Sequence, residues 1–241
     1  MSGHSKWNNI KHKKEKTDAQ KAKVFTKIGK EIAVAVKEGG PEPTSNSKLR
    51  DLIIKAKANN VPNDNIDRII KKAAGGDGAN YDEIVYEGYG IGGVAVIVET
   101  LTDNRNRTSA DVRHYFDKYG GNMGTSGCVS FMFDNKGVIV IEAEDVDEDK
   151  LFEDVLECGA DDLSNEGEVF EVYTDPAQVG AVAEALEKMG YKYLSAEAEK
   201  VPQNYTSLSD EEQLTKLRKM LDVMEENEDI QNVWHNCENV D

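Results

Sequence analysis

Gly137-Val138-Ile139-Val140-Ile141-Glu142-Ala143 is the stretch on which the fold turns, because a β-branched strand here opens a complete repeat. A helical run from Asp149 to Cys158 follows it. Next come strands near Asp162 and at Val169 to Tyr173, a helix from Pro176 to Met189, and a strand from Tyr193 to Glu199. The order is βαββαβ, that of a ferredoxin-like domain. Immediately upstream, Ser130 to Phe133 reads as a further strand and Asn135-Lys136-Gly137 as a hairpin turn.

Outward from this repeat, both flanks are incomplete. After Pro202 a helix from Ser209, with Leu214, Leu217, Leu221 and Met224 at helical spacing, and a strand Ile230 to His235 have no partners of their own. Before it, Glu83 to Tyr89 and Gly93 to Thr100 are β-rich runs, and a helix from about Thr108 to Tyr119 ends at Gly120-Gly121. That segment is short of one helix and one strand. The tail supplies them if it returns, which makes residues 137–203 an insertion. Gly88, Gly90, Gly92 and Gly93 lie between two strands and precede no helix, so they read as a β-turn, not a nucleotide loop.

Residues 1–78 have a different character. Val24, Ile28, Ile32 and Ala35 form the stripe of a helix starting near Asp18 and ending at Gly39-Gly40. Leu49, Leu52, Ile53 and Ala56 define a second helix. Ile66, Ile69, Ile70 and Ala73 define a third, capped by Asn63 or Asp64, with Arg68, Lys71 and Lys72 outward. Lys6 to Lys16 shows no sustained apolar period and reads as an arm that orders on binding. The expected fold is therefore α+β and multidomain: a three-helix domain at 1–78, a split α/β domain at 79–136 plus 204–241, and an inserted ferredoxin-like domain at 137–203, both α/β domains being ferredoxin-like.

Charge follows the same division. The chain of 241 residues carries a net charge of −17, which alone argues against a phosphate-rich partner. Yet residues 1–72 hold 17 Lys+Arg against 8 Asp+Glu, and residues 73–241 hold 12 against 38. The basic module is thus carried on an acidic body, which repels nucleic acid elsewhere and offers a surface to a basic protein partner.

Several classes find no support. No apolar run approaches the roughly 20 residues that span a bilayer, and the N-terminus lacks a signal-peptide core, so a cytoplasmic protein without a membrane partner is expected. Cys128, Cys158 and Cys237 are far apart and form no metal pair. His4, His12, His114 and His235 lie in unrelated segments, and no nucleophile-elbow or P-loop pattern occurs. The acidic run Glu142 to Asp149 lacks EF-hand spacing and reads as a solvated surface. No active site, metal, cofactor or small-molecule substrate is assigned.

The candidate contacts are instead to nucleic acid. In the arm, Lys6, Lys11, Lys13, Lys14 and Lys16 neutralise phosphate while Trp7 and His12 stack on bases; the competing reading is a solvated tail anchored by Trp7. Lys23, Lys27 and Lys30 on the first helix and Lys55 and Lys57 on the second could line a groove, though exposed lysine is ordinary on helices. Arg105 and Arg107 sit where a strand yields to a helix. They either hold a phosphate at the helix N-terminus or pair with acids while Asn106 or Thr108 caps it. No helix carries a base-reading set of Arg, Asn and Gln, and lysine binds phosphate as a point charge that specifies little.

Particular motifs add to this. Gly3-His4-Ser5-Lys6-Trp7, Ile10-Lys11-His12-Lys13-Lys14, Phe25-Thr26-Lys27-Ile28-Gly29-Lys30-Glu31-Ile32, Tyr86-Glu87-Gly88-Tyr89-Gly90, Leu101-Thr102-Asp103-Asn104-Arg105-Asn106-Arg107-Thr108 and Gly120-Gly121-Asn122-Met123-Gly124 resemble the YebC/PmpR-type family of probable transcriptional regulatory proteins. That family includes mitochondrial translational activators of a cytochrome oxidase subunit. The resemblance implies a three-domain protein, with DNA binding and transcription regulation in some members and work on the ribosome in others. Lys21-Ala22-Lys23 stands where relatives typically show Arg-Gly-Lys. Three functions are therefore carried forward: a DNA-binding transcriptional regulator, a translation factor bound to ribosomal RNA, and an acidic protein-binding scaffold.

Overall fold

A computed structural model describes residues 18–76 and 79–240, with 18–20 by their backbone alone. Two compact units emerge among the described residues, one from residues 18–129 together with Asp210–Val233, the other from Ser130–Ser209 and the segment from Trp234 onward.

The first unit begins with three helices, α1 (Asp18–Gly39), α2 (Ser47–Ala58) and α3 (Asn63–Ala74). The expected apolar stripes meet in one core in which Ile32, Leu49 and Ala56 are fully buried and Ile28, Ile66 and Ala73 nearly so. Full burial of an Ile or Leu side chain contributes about 1.5–3 kcal/mol each. Asn46 joins the first two helices. It caps α2 by accepting from the Leu49 amide at 3.0 Å, and its own amide donates to the Ala35 and Gly40 carbonyls, both at 2.8 Å. The third helix departs from expectation: Asn63 and Asp64 lie inside it, and Pro62 occupies the cap position without a side-chain bond.

A sheet follows, with strands β1 (Asp82–Tyr89), β2 (Ala95–Thr102) and β3 (Asn122–Met123), joined by the tail strand β8 (Ile230–His235) in the order β3-β1-β2-β8. The turn between β1 and β2 places Gly92 at φ 69° and Gly93 at φ 80°, the left-handed region that glycine enters without strain. Helices α4 (Arg105–Lys118) and α7 (Glu211–Glu226) complete the layer. The tail thus does supply the missing helix and strand. In chain order the layer runs strand, strand, helix, strand and then, after the second unit's residues, helix and strand. The start of α4 is set by Asn104, whose side chain accepts from the Arg107 amide, and not by Asn106 or Thr108.

The second unit holds β4 (Phe133–Glu142), α5 (Glu148–Glu157), β5 (Asp162–Asn165), β6 (Val169–Thr174), α6 (Val179–Lys188) and β7 (Tyr193–Pro202), with sheet order β5-β6-β4-β7. This is the ferredoxin-like order expected from the βαββαβ repeat. One local expectation fails. Asn135, Lys136 and Gly137 form no hairpin but continue β4, opposite Lys200, Glu199 and Ala198 of β7. Long-range pairing overrides the local turn tendency. Gly137 serves close approach instead, since a Cβ there would lie 2.8 Å from both Thr174 and Val179 side chains. No helix among the described residues is long and apolar enough to cross a membrane.

Candidate nucleic-acid interface

The lysines of α1 have specific partners in the first unit. Helix α7 ends at Glu226 with acids in its last turn, where unsatisfied carbonyls and the helix dipole favour cations. Lys27 Nζ donates to the Glu225 carbonyl at 2.6 Å, and Lys23 Nζ lies 3.8 Å from the Glu226 carboxylate. Lys30 Nζ donates to the Glu228 carbonyl at 3.0 Å and to Asp229 Oδ1 at 2.6 Å.

Asp229 is the centre of this arrangement. Its side chain is only 7% exposed, and its second oxygen accepts from Arg107 Nη2 at 2.6 Å, Thr108 Oγ1 at 2.9 Å and Thr102 Oγ1 at 3.2 Å. Burial alone would raise its pKa. The hydrogen bonds from Lys30, Arg107 and Thr108 outweigh it and hold the carboxyl at about 2. Arg107 also bridges to Asp103 at 2.8 Å, and these bonds from Asp229 and Asp103 raise its pKa further. Of the two readings of Arg107, the structure displays the acid-paired one.

A polar cleft of about 370 Å³ opens beside this network, lined by Lys30, Tyr81, Asp103, Arg107, Asp111 and Asp229 among others. Its two cations are committed to Asp229, and the remaining carboxylates repel a phosphate. It does not suit an anion.

The other named cations divide. Lys55 pairs with Glu31 at 3.2 Å in a half-buried contact. Lys57 is exposed at the C-terminal end of α2. Arg105 is 70% exposed, with Asp82 no nearer than 3.9 Å. Lys6, Trp7, Lys11, His12, Lys13, Lys14 and Lys16 lie outside the described residues. The structure adds a group that the sequence reading placed outward without nominating: Arg68, Lys71 and Lys72, exposed at three- and four-residue spacings on α3. That spacing was the available signal.

Neither half-buried thiol is activated. Burial, and then Glu87, push Cys128 up; burial, Asp154 and Glu157 do the same to Cys158.

A basic three-helix module with two ferredoxin-like α/β domains, one inserted in the other, defines the class. Two family models cover nearly all of the chain: "TACO1/YebC protein N-terminal domain" matches residues 5–76, and "TACO1/YebC second and third domain" residues 81–237. The chain belongs to the TACO1/YebC family. It is 60% identical to a probable transcriptional regulatory protein of Acetivibrio thermocellus over 98% of each chain. It is 57% identical to one of Hathewaya histolytica over 99% of this chain and 97% of the relative. Among solved structures, a conserved hypothetical protein from Aquifex aeolicus superposes with a TM-score of 0.84 at 46% identity, covering 93% of each chain.

Proposed function

We propose that this protein is a non-enzymatic, cytoplasmic, nucleic-acid-binding regulator of gene expression that approaches phosphate with residues 1–72. The observation that carries the reading is the charge division. Seventeen cations against eight acids occupy residues 1–72, while residues 73–241 hold 12 against 38. Pairing of Lys30 and Arg107 with Asp229 gives those two a framing role. Phosphate contact then falls to the arm lysines, to Lys57 and to Arg68, Lys71 and Lys72, with Arg105 at the margin. The relatives' name supports DNA and transcription as the target.

A second reading, binding of ribosomal RNA, is favoured by one specific observation. The exposed cations of α2 and α3 are mostly lysines, with no Arg, Asn and Gln set arranged to read base edges. Crosslinking the intact protein to nucleic acid in cells and sequencing what is attached separates the two. Discrete promoter fragments support transcription; ribosomal RNA, with co-sedimentation on ribosomes, replaces it with translation. Recovery of neither overturns nucleic-acid binding and leaves the acidic scaffold.

A further inference from the structure

Helix α5 uses two of its sides within the second unit and leaves a third open. Leu151 and Val155 turn inward onto the sheet and are fully buried. Asp154 and the capping Cys158 turn toward the end of α6: the Tyr191 hydroxyl donates to Asp154 Oδ2 at 2.6 Å, and Cys158 Sγ lies 3.8 Å from Met189 Sδ. At about 100° per residue, Phe152 and Leu156 fall on the flank turned away from that contact, and they are 44% and 48% exposed. A single exposed apolar side chain is ordinary. Two at i and i+4 lie one above the other and make one patch.

The patch is set in acid. Asp149, Glu153 and Glu157 recur at four-residue spacing on the adjoining stripe, all exposed, and none has an ion-pair partner among the described residues. Glu148, four residues before Phe152, accepts from Asn165 Nδ2 at 2.7 Å, which ties the start of this flank to the end of β5, the edge strand of the sheet. Residues 144–162 hold ten Asp+Glu and one cation, Lys150.

This chemistry selects the occupant. Apolar anchors are needed to cover Phe152 and Leu156, and cations beside them to meet Asp149, Glu153 and Glu157. Nucleic acid and an anionic membrane bring like charge to the flank, and so does the same flank of a second copy. A strand added to β5 is the poorer fit, since β5 has four residues and the Leu163 amide already donates to Asp162 Oδ1 at 2.9 Å. A helix with apolar residues at i and i+4 between lysines or arginines matches both the spacing and the charge.

We propose that the Phe152/Leu156 flank of α5 docks a basic amphipathic helix of a partner protein. The docking does not rest on the phosphate contact proposed above, which falls on residues 1–72.

The test uses the intact chain and, as probe, a fluorescently labelled peptide of leucine and lysine with its leucines at i, i+4 and i+7; a peptide of the same composition with scattered leucines is the control. Anisotropy is expected to show the control binding about tenfold more weakly. Phe152→Ser/Leu156→Ser and Asp149→Lys/Glu153→Lys each weaken the amphipathic peptide about tenfold. Glu184→Lys/Glu187→Lys, an equal change of charge at exposed positions of α6, leaves it within about twofold. Equal binding of the two peptides, or an equal loss in the α6 variant, reduces the attraction to net charge and overturns the proposal, as does absence of binding. Should the Ser variant lose its thermal transition, the two charge variants decide alone.

Hydrogen exchange locates the contact. In the parent, the amphipathic peptide slows exchange in residues 148–157; protection confined to other segments overturns the proposal. Sedimentation of the parent without peptide completes the test. A dimer that the Ser variant abolishes gives the flank to a second copy and overturns the partner helix.

Discussion

Asp229 stands where three parts of the first unit converge: α1 through Lys30, the β2–α4 junction through Thr102, Arg107 and Thr108, and the start of β8 through its own backbone. Substitution Asp229→Asn leaves Lys30 and Arg107 without their shared carboxylate, and breaking such a buried pair costs about 3–5 kcal/mol. The sign of the pH dependence follows from a pKa depressed from 3.8 to about 2. Stability from Asp229 is complete above pH 4 and is lost as pH falls from 4 toward 2. Urea unfolding midpoints of parent and variant should differ most at neutral pH and converge over that window. A constant difference would remove Asp229 as the titrating group.

Glu87 offers a second residue-scale expectation. Its buried carboxylate accepts from the Gly127 and Val129 amides at 2.7 and 2.9 Å, which holds the loop after β3 against β1. Glu87→Ala strands both amides, so hydrogen exchange in residues 124–129 should accelerate and stability fall by about 1–3 kcal/mol. Neither role was legible beforehand. A lone aspartate before a strand and a glutamate inside one look alike until distant segments supply their donors.

At the level of elements, periodicity carried most of the information. The apolar stripes of α1 to α3 and the βαββαβ order appear as expected, because burial on one face imposes the spacing that a reader detects. The return of α7 and β8 to the first sheet was legible from incompleteness: an orphan helix and strand matched a domain lacking both. What failed was local chemistry overridden from afar. Asn135-Lys136-Gly137 has turn-forming residues, yet its pairing with β7 keeps it extended. The lysines of α1 looked solvent-directed because the end of α7 lies about 200 residues away in sequence.

Glycine spacing gives an element-scale prediction. A Cβ at Gly88 would lie 2.5 Å from the Asn122 carbonyl oxygen and 3.0 Å from Met123 Cα, so β1 and β3 can pair only with glycine there. Gly88→Ala should part β3 from the sheet edge and cost about 1–3 kcal/mol, visible as a lowered thermal midpoint. An unchanged midpoint would show that the two-residue β3 contributes nothing.

For the whole molecule, the separation of charge is the organising feature. Cations within residues 1–72 fall into two groups. Lys30 and Lys55 hold the helices to acids of the same unit, while Lys57, Arg68, Lys71 and Lys72 remain exposed. The overall division was visible in the composition, but its internal partition was not, because lysines paired with acids and lysines left exposed share one helical spacing. Under the proposed function, residues 1–72 meet phosphate.

The salt dependence of binding tests this most directly, with the intact chain and its Lys11→Ala/Lys13→Ala/Lys14→Ala variant measured on the nucleic acid recovered by crosslinking. Each phosphate contact adds about 0.7–0.9 to the slope of log affinity against log salt. The variant should bind more weakly at low salt, with a slope reduced by up to about 2 to 3. An unchanged slope and affinity would contradict it.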